Sequence, residues 1–344
     1  MSLKMKKFLK NYWLIIFLAF IASLLIGIFF IKKDEEPQIS SNLEKLLPLP
    51  YPKFQEYQLK IPLNSNNLLK KFPELTQEEI VYEIENPFFL EQEAIKIAKN
   101  FGFKNEPESK NYDNKIYYEW YDPQKDLIIN LTEGEINFTN KNPNLDPSLI
   151  SLPDISKIDF IIESILKEKE LLPNEEINLL IKDKSYLKLF DYEYGVTNNP
   201  KEAFAIQVKL QYELKKIRFL ENDVIILVGD KNEILKLDYQ SIFKKIKILD
   251  SYPLKNKEEI IEKLKTLNSI NYFKIINDYE LSGEPQKINN IDLNKIELVY
   301  LKTEIPQSYL QPFFFISGQA VLDDERAAEI GIYLPAIKDE YLLK

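Results

Sequence analysis

"QSYLQPFFFISGQA", residues 307–320, sets three phenylalanines in a row behind a proline and ends near a glycine. In an extended chain, successive side chains point to opposite faces. Phe313 and Phe315 then point one way and Phe314 and Ile316 the other, so both faces are apolar. That pattern fits an inner strand covered on each side, with Pro312 at its start because proline has no N–H to donate. Gly318 fits a bulge or a close backbone approach. The competing reading makes the face bearing Phe314 a groove for a ligand or partner.

Upstream, "FAIQVKLQYEL" (204–214) alternates differently. Phe204, Ile206, Val208, Leu210, Tyr212 and Leu214 interleave with Gln207, Lys209, Gln211 and Glu213. This predicts an antiparallel strand with one wet face. "DVIILVGDKNEILKLDY" (223–239) reads as two strands joined at Gly229–Asn232.

Helix followed by strands occurs three times. "LEQEAIKIAKNFGF" (90–103) lines up Leu90, Ala94, Ile97, Ala98 and Phe101 and stops at Gly102. The strands "NKIYYEWYD", "LIINLTEG" and "EINFTN" follow it. "SKIDFIIESILKEKE" (156–170) starts at a Ser156/Asp159 capping-box variant, with Ile158, Ile161, Ile162, Ile165 and Leu166 inward. "NKEEIIEKLKTL" (256–267) opens with Asn256 and Glu259 and turns Ile260, Ile261, Leu264 and Leu267 inward. "FKIINDYEL", "KIELVYLKT", "QPFFFISGQAVL" and "AAEIGIYLPA" close the chain as strands. Helices and strands segregate unit by unit, so the expected class is α+β with antiparallel sheets. The units are 76–150, 151–250 and 251–344.

Ahead of them, residues 11–31 read "NYWLIIFLAFIASLLIGIFFI", uncharged from Trp13 to Ile31. About 20 such residues in a helix cross ~30 Å of hydrocarbon. Lys4, Lys6, Lys7 and Lys10 precede the run, with Tyr12 and Trp13 at the aromatic belt, so residues 1–10 are expected in the cytoplasm. A cleaved signal peptide would have a shorter apolar core and small residues at its cleavage site; this run ends in "GIFFIKKDEE". The segment is therefore read as an uncleaved single-pass anchor, with the bulk of the chain extracytoplasmic. Residues 32–75 form a stalk broken by Pro37, Pro48, Pro50, Pro52, Pro62 and Pro73. Within it only "FQEYQLKIPL" has strand-like alternation.

Composition removes whole classes of chemistry. Among 344 residues there is neither cysteine nor histidine. Disulfides, thiolate metal sites, imidazole-ligated zinc and Ser-His-Asp catalysis are thereby excluded. Setting aside the six lysines at 4, 6, 7, 10, 32 and 33 leaves 39 basic against 54 acidic residues, a net charge of −15. Such a surface repels polyanions, so nucleic acid is not an expected partner.

"EAIKIAKNFG" (93–102) leading a helix-then-meander unit, and "VGDKNEI" (228–234) turning within the strands, resemble PepSY-like domains. Several such units behind one N-terminal anchor resemble the YycH/YycI type of extracytoplasmic regulator. "IELVYL…YLQPFFFISGQA…IGIYLPAI" is similar to the closing strands of those proteins. The resemblance implies binding to a membrane sensor or peptidase outside the cell, and transfers no functional residue.

The remaining candidates for chemistry are weak. Asp323, Asp324 and Glu325 sit where a hairpin turn is expected and lack the ligand spacing of a calcium loop. No phosphate loop, G-x-S-x-G elbow or S-x-x-K motif is present. No catalytic residue, metal ligand or cofactor is therefore assigned. "YYEWYD" places Tyr118 and Trp120 on one strand face with Tyr117 and Tyr121 opposite; in "FDYEYG" Phe190, Tyr192 and Tyr194 align. These aromatics are either core and cross-strand pairs or an exposed recognition face. Tyr117, Tyr118, Trp120, Tyr121 and Phe314 are the candidate partner-binding residues. The expected function is a membrane-anchored extracytoplasmic binding or regulatory protein without catalysis. A structural envelope spacer and a histidine-free carboxylate hydrolase are the alternatives.

Overall fold

The computed structural model describes residues 43, 45–46, 57–58, 72, 74–85, 89–141, 143–173, 176–190, 193–240, 245–266, 269–270, 272–275, 288–302, 308–322 and 325–343. The expected anchor, 11–31, and most of the stalk lie outside these residues. Among the described residues no helix is long and apolar enough to cross a membrane.

Strands β1 (Tyr57–Gln58) and β2 (Glu78–Glu85) come first. Helix α1 (Glu91–Asn100) leads β3 (Glu108–Tyr112), β4 (Lys115–Tyr121), β5 (Lys125–Asn130) and β6 (Glu135–Asn140). Helix α2 (Ile158–Glu168) leads β7 (Ile177–Phe190), β8 (Glu193–Thr197), β9 (Ala205–Leu214), β10 (Ile217–Val228), β11 (Ile234–Gln240) and β12 (Lys245–Pro253). Helix α3 (Lys257–Thr266) leads β13 (Ser269–Ile270), β14 (Tyr272–Ile275), β15 (Ile288–Leu301), β16 (Tyr309–Leu310), β17 (Pro312–Leu322) and β18 (Ala327–Pro335). The fold is mixed α+β, mostly sheet, with three helices among the described residues.

Strands from all three stretches enter one 13-stranded sheet in the order β14-β18-β17-β15-β10-β11-β6-β5-β4-β3, with β9, β7 and β8 branching from β10. Thus β6 of the first expected unit pairs with β11 of the second, and β10 of the second with β15 of the third. A short meander alone would leave open edges; joining end to end removes most of them. The contact of β10 with β15 is parallel, and every other pairing among the described strands is antiparallel. A three-stranded sheet, β12-β2-β16, and the β1-β13 pair complete the topology.

The helix ends follow local chemistry. Asn256 and Glu259 close a reciprocal capping box on α3, with backbone-to-side-chain bonds of 2.7 and 2.9 Å. The expected Ser156 cap of α2 is replaced by Asp154, which accepts from Ser156 N at 2.9 Å and starts a 3₁₀ turn that leads into the helix. Leu90, expected on the apolar face of α1, stands exposed at its N-cap, while Ala94, Ile97, Ala98 and Phe101 are buried as the spacing requires. The helix stops at Gly102, whose φ of +81° suits glycine.

In β17 both faces are buried. Phe314 and Ile316 join a core cluster with Ile260 and Leu264 of α3, whereas Phe313 and Phe315 pack with Leu220, Val299, Leu301 and Tyr333. The strand starts at Pro312. At Gly318 a side chain is sterically barred, since a Cβ would lie 2.0 Å from the Asp292 carbonyl oxygen. Opposite, the β15 register shifts between Leu293 and Lys295, leaving Asn294 as a bulge.

Candidate functional site

The meander β3–β6 presents one covered and one open face. On the covered face two rows run in register across four strands: Trp120, Leu127, Phe138 and Leu237, then Tyr118, Ile129, Ile136 and Tyr239. Trp120 is fully buried and meets the Tyr118 ring edge-on at 6.1 Å. Neither Trp120 nor Phe314 lies on an exposed face: both bury their full surface in the core, where the transfer of so large a ring from water is most favourable.

The open face carries Tyr117, Glu119 and Tyr121 of β4, flanked by Lys110 and Tyr112 of β3. A two-residue turn sets this register, with Asp113 and Asn114 at φ of 50° and 63°. Glu119 accepts from the Tyr121 hydroxyl at 2.6 Å and from the Lys110 ammonium. Its burial alone would raise the carboxyl, but the Lys110 and Tyr121 hydrogen bonds outweigh burial and hold it below the usual glutamate range. Donating those bonds to Glu119 in turn raises the Lys110 ammonium and the Tyr121 phenol. Lys110 and Lys141 approach the Tyr121 ring at 5.5 and 5.7 Å, and Lys141 is tied to Asp126 at 2.6 Å. Tyr112 and Tyr117 sit 6.0 Å apart, and Lys115 pairs with Glu133 at 2.6 Å.

Of the five candidate residues, the structure places Tyr117 and Tyr121 on the same strand face, Tyr117 half-buried and Tyr121 exposed. Tyr118 is half-buried against the core. Sequence reasoning missed the lysines that frame Tyr121. The signal was present in "KNYDNKIYY", where a Asp113-Asn114 turn between alternating residues places Lys110 opposite Tyr117.

Lys302, just past β15, carries a displaced titration. Burial pushes its amine down to about 8, against attraction from Glu135 and Glu133. It donates to the Glu133 carbonyl at 2.7 Å, tying the end of β15 to the β5–β6 turn. In that turn Asn130 is buried and bonded to Glu133 and Thr132.

A cleft of about 570 Å³ runs between α1, α2 and the turn before β11. Its two lysines are committed to the C-terminal end of α1: Lys125 donates to the Phe101 carbonyl at 2.5 Å and Lys169 to that of Asn100 at 2.7 Å. Cations there complement the helix dipole. Among the described residues no three carboxylates converge as a metal site.

No family model and no curated protein matches the chain. Among solved structures, an uncharacterised protein from Eubacterium rectale superposes with a TM-score of 0.43 at 10% identity, over 75% of this chain and 83% of that one.

Proposed function

We propose that this chain is a membrane-anchored binding protein that holds another envelope protein against the open face of β3–β6, and that it performs no catalysis. The observation that carries this reading is Tyr121, exposed yet fixed by Glu119 and framed by Lys110 and Lys141. A ring already held in place loses little freedom on docking, so more of its contact energy survives as affinity. Tyrosine is also the residue type that interfaces favour, offering apolar area and one hydroxyl. The absence of histidine and cysteine, and the commitment of the cleft lysines to helix carbonyls, favour binding over a hydrolase. The uncharged run 11–31 with its preceding lysines supports an anchor and an outward-facing domain. The likeness in element order to PepSY-like domains and to YycH/YycI-type regulators points to a sensor or peptidase as the partner.

Chemical cross-linking of the intact chain in its own membrane tests this. The wild type should capture one envelope protein, and the double variant Tyr117→Ser, Tyr121→Ser should lose it while melting as before. Undiminished capture by that variant would contradict the proposal.

A further inference from the structure

The sheet has a second kind of edge. Strand β3, at one end of the long path, reads Glu-Ser-Lys-Asn-Tyr and turns Lys110 onto the sheet, a charged guard that discourages pairing with another chain. Strand β8 reads Glu-Tyr-Gly-Val-Thr and has no lysine or proline. Among the described residues it pairs with β7 alone. Among the described residues no strand lies beside its other edge, which presents main-chain donors and acceptors.

The side chains around that edge are apolar on both faces. Tyr194 and Val196 are 58% and 63% exposed and share a face with Leu189, which is exposed too. On the other face the Phe190 ring lies over Gly195, within 2.6 Å of where a Cβ would sit, with Lys188 Nζ 4.3 Å from the ring centroid. Exposed apolar groups on both sides of an open strand are what a covered interface strand carries.

We propose that β8 pairs antiparallel with β8 of a second copy of this chain, about a twofold axis at Gly195. The sequence is self-complementary in that register. Tyr194 falls opposite the partner's Val196, an aromatic–β-branched pair. Position 193, a glutamate, falls opposite Thr197, so no like charges meet. Backbone groups along an antiparallel strand alternate between inward and outward. A twofold at Gly195 pairs positions of the same parity, so whichever set points outward meets its own counterpart. Glycine at the axis removes side chains from the closest approach, and the two Phe190 rings close over it. Five residues a side fall short of a standard interface of ~1,600 Å², so the pairing is concentration-dependent. The chain's net charge of −9 opposes self-association. Added salt screens that repulsion and should tighten the pair, whereas docking of a basic partner would weaken with salt.

The chain has no cysteine, so introduced thiols report register without interference. Full-length Glu193→Cys and Thr197→Cys chains are oxidised in detergent, separately and mixed. The mixture should cross-link at least about tenfold faster than either chain alone, because facing Cα atoms lie ~5.5 Å apart while like positions are offset by four residues, ~14 Å along the strand. Equal rates in all three samples, or no cross-link in any, would overturn the proposal. Val196→Lys, at an exposed position, should give a monomer with an unchanged melt. Persistence of its dimer, or a wild-type dimer that dissociates as salt is raised, would also overturn it.

Discussion

Two aromatic runs of nearly equal length have opposite fates in this fold. In "FFFI" every side chain is buried, because β17 lies between β15 and β18 and apolar clusters cover both its faces. In "YYEWY" the burial is graded, from a fully buried Trp120 through half-buried Tyr117 and Tyr118 to an exposed Tyr121, because β4 lies one strand from an edge. The difference lies in the residues between the rings. Glu119, buried beneath its Lys110 and Tyr121 partners, marks the polar face of β4, and the absence of any polar residue from Phe313 to Ile316 marks a strand with none. An aromatic run thus reads as core when uninterrupted, and as half surface when a charge falls at period two.

The largest effects are expected in β17. Phe313→Asp and Phe314→Asp point in opposite directions, yet each buries an unpaired carboxylate and should cost several kcal/mol, enough to unfold the domain. Thermal melts of the two variants side by side check this. If either melts like the wild type, one face of β17 is open. Next, Trp120→Ala should cost about 3–5 kcal/mol through loss of a fully buried ring, read as a lowered denaturant midpoint. A loss below about 1 kcal/mol would mean the covered face of β4 is not core.

Lys302 sharpens the contact between the two regions, since it joins the end of β15 to the meander. Its amine titrates near 8 when folded and at the ordinary 10.5 when unfolded. Between those values the unfolded chain holds more protons, so this group's contribution rises as pH rises from 8 to 10.5. The rise corresponds to about 3 kcal/mol and should vanish in Lys302→Met, measured as the difference between the two stability profiles. Identical profiles would show that the amine is not desolvated. Smallest in stability is Tyr121→Ala, expected to change it by less than about 0.5 kcal/mol while reducing partner capture. Unfolding by this variant would place Tyr121 in the core.

The sequence made α1, α3, β9 and β17 legible because each has an unbroken period and a clear stop. It hid β7. A register shift between Ile181 and Asp183 moves the alternation to the opposite phase, so Ile177, Leu179 and Ile181 and then Tyr186 face one core on different parities. Lysines at 182, 184 and 188 further weaken the pattern. The joining of three helix-plus-strand stretches into one sheet was also hidden, since pairings such as Phe219 with Tyr300 are non-local and leave no local periodicity. On the open face, Tyr117 and Tyr121 were legible from alternation alone. Lys141 and its approach to Tyr121 were not, because they depend on how β5 and β6 return beside β4.

The claim that this face receives a partner is tested most directly by site-specific photocross-linking in the native membrane. A photoreactive residue replaces Tyr121 in one full-length chain and Phe160, which is exposed on α2, in another. One discrete adduct with another envelope protein is expected from position 121, and none of that species from position 160. Equal capture from both positions, or none from 121, would contradict that claim.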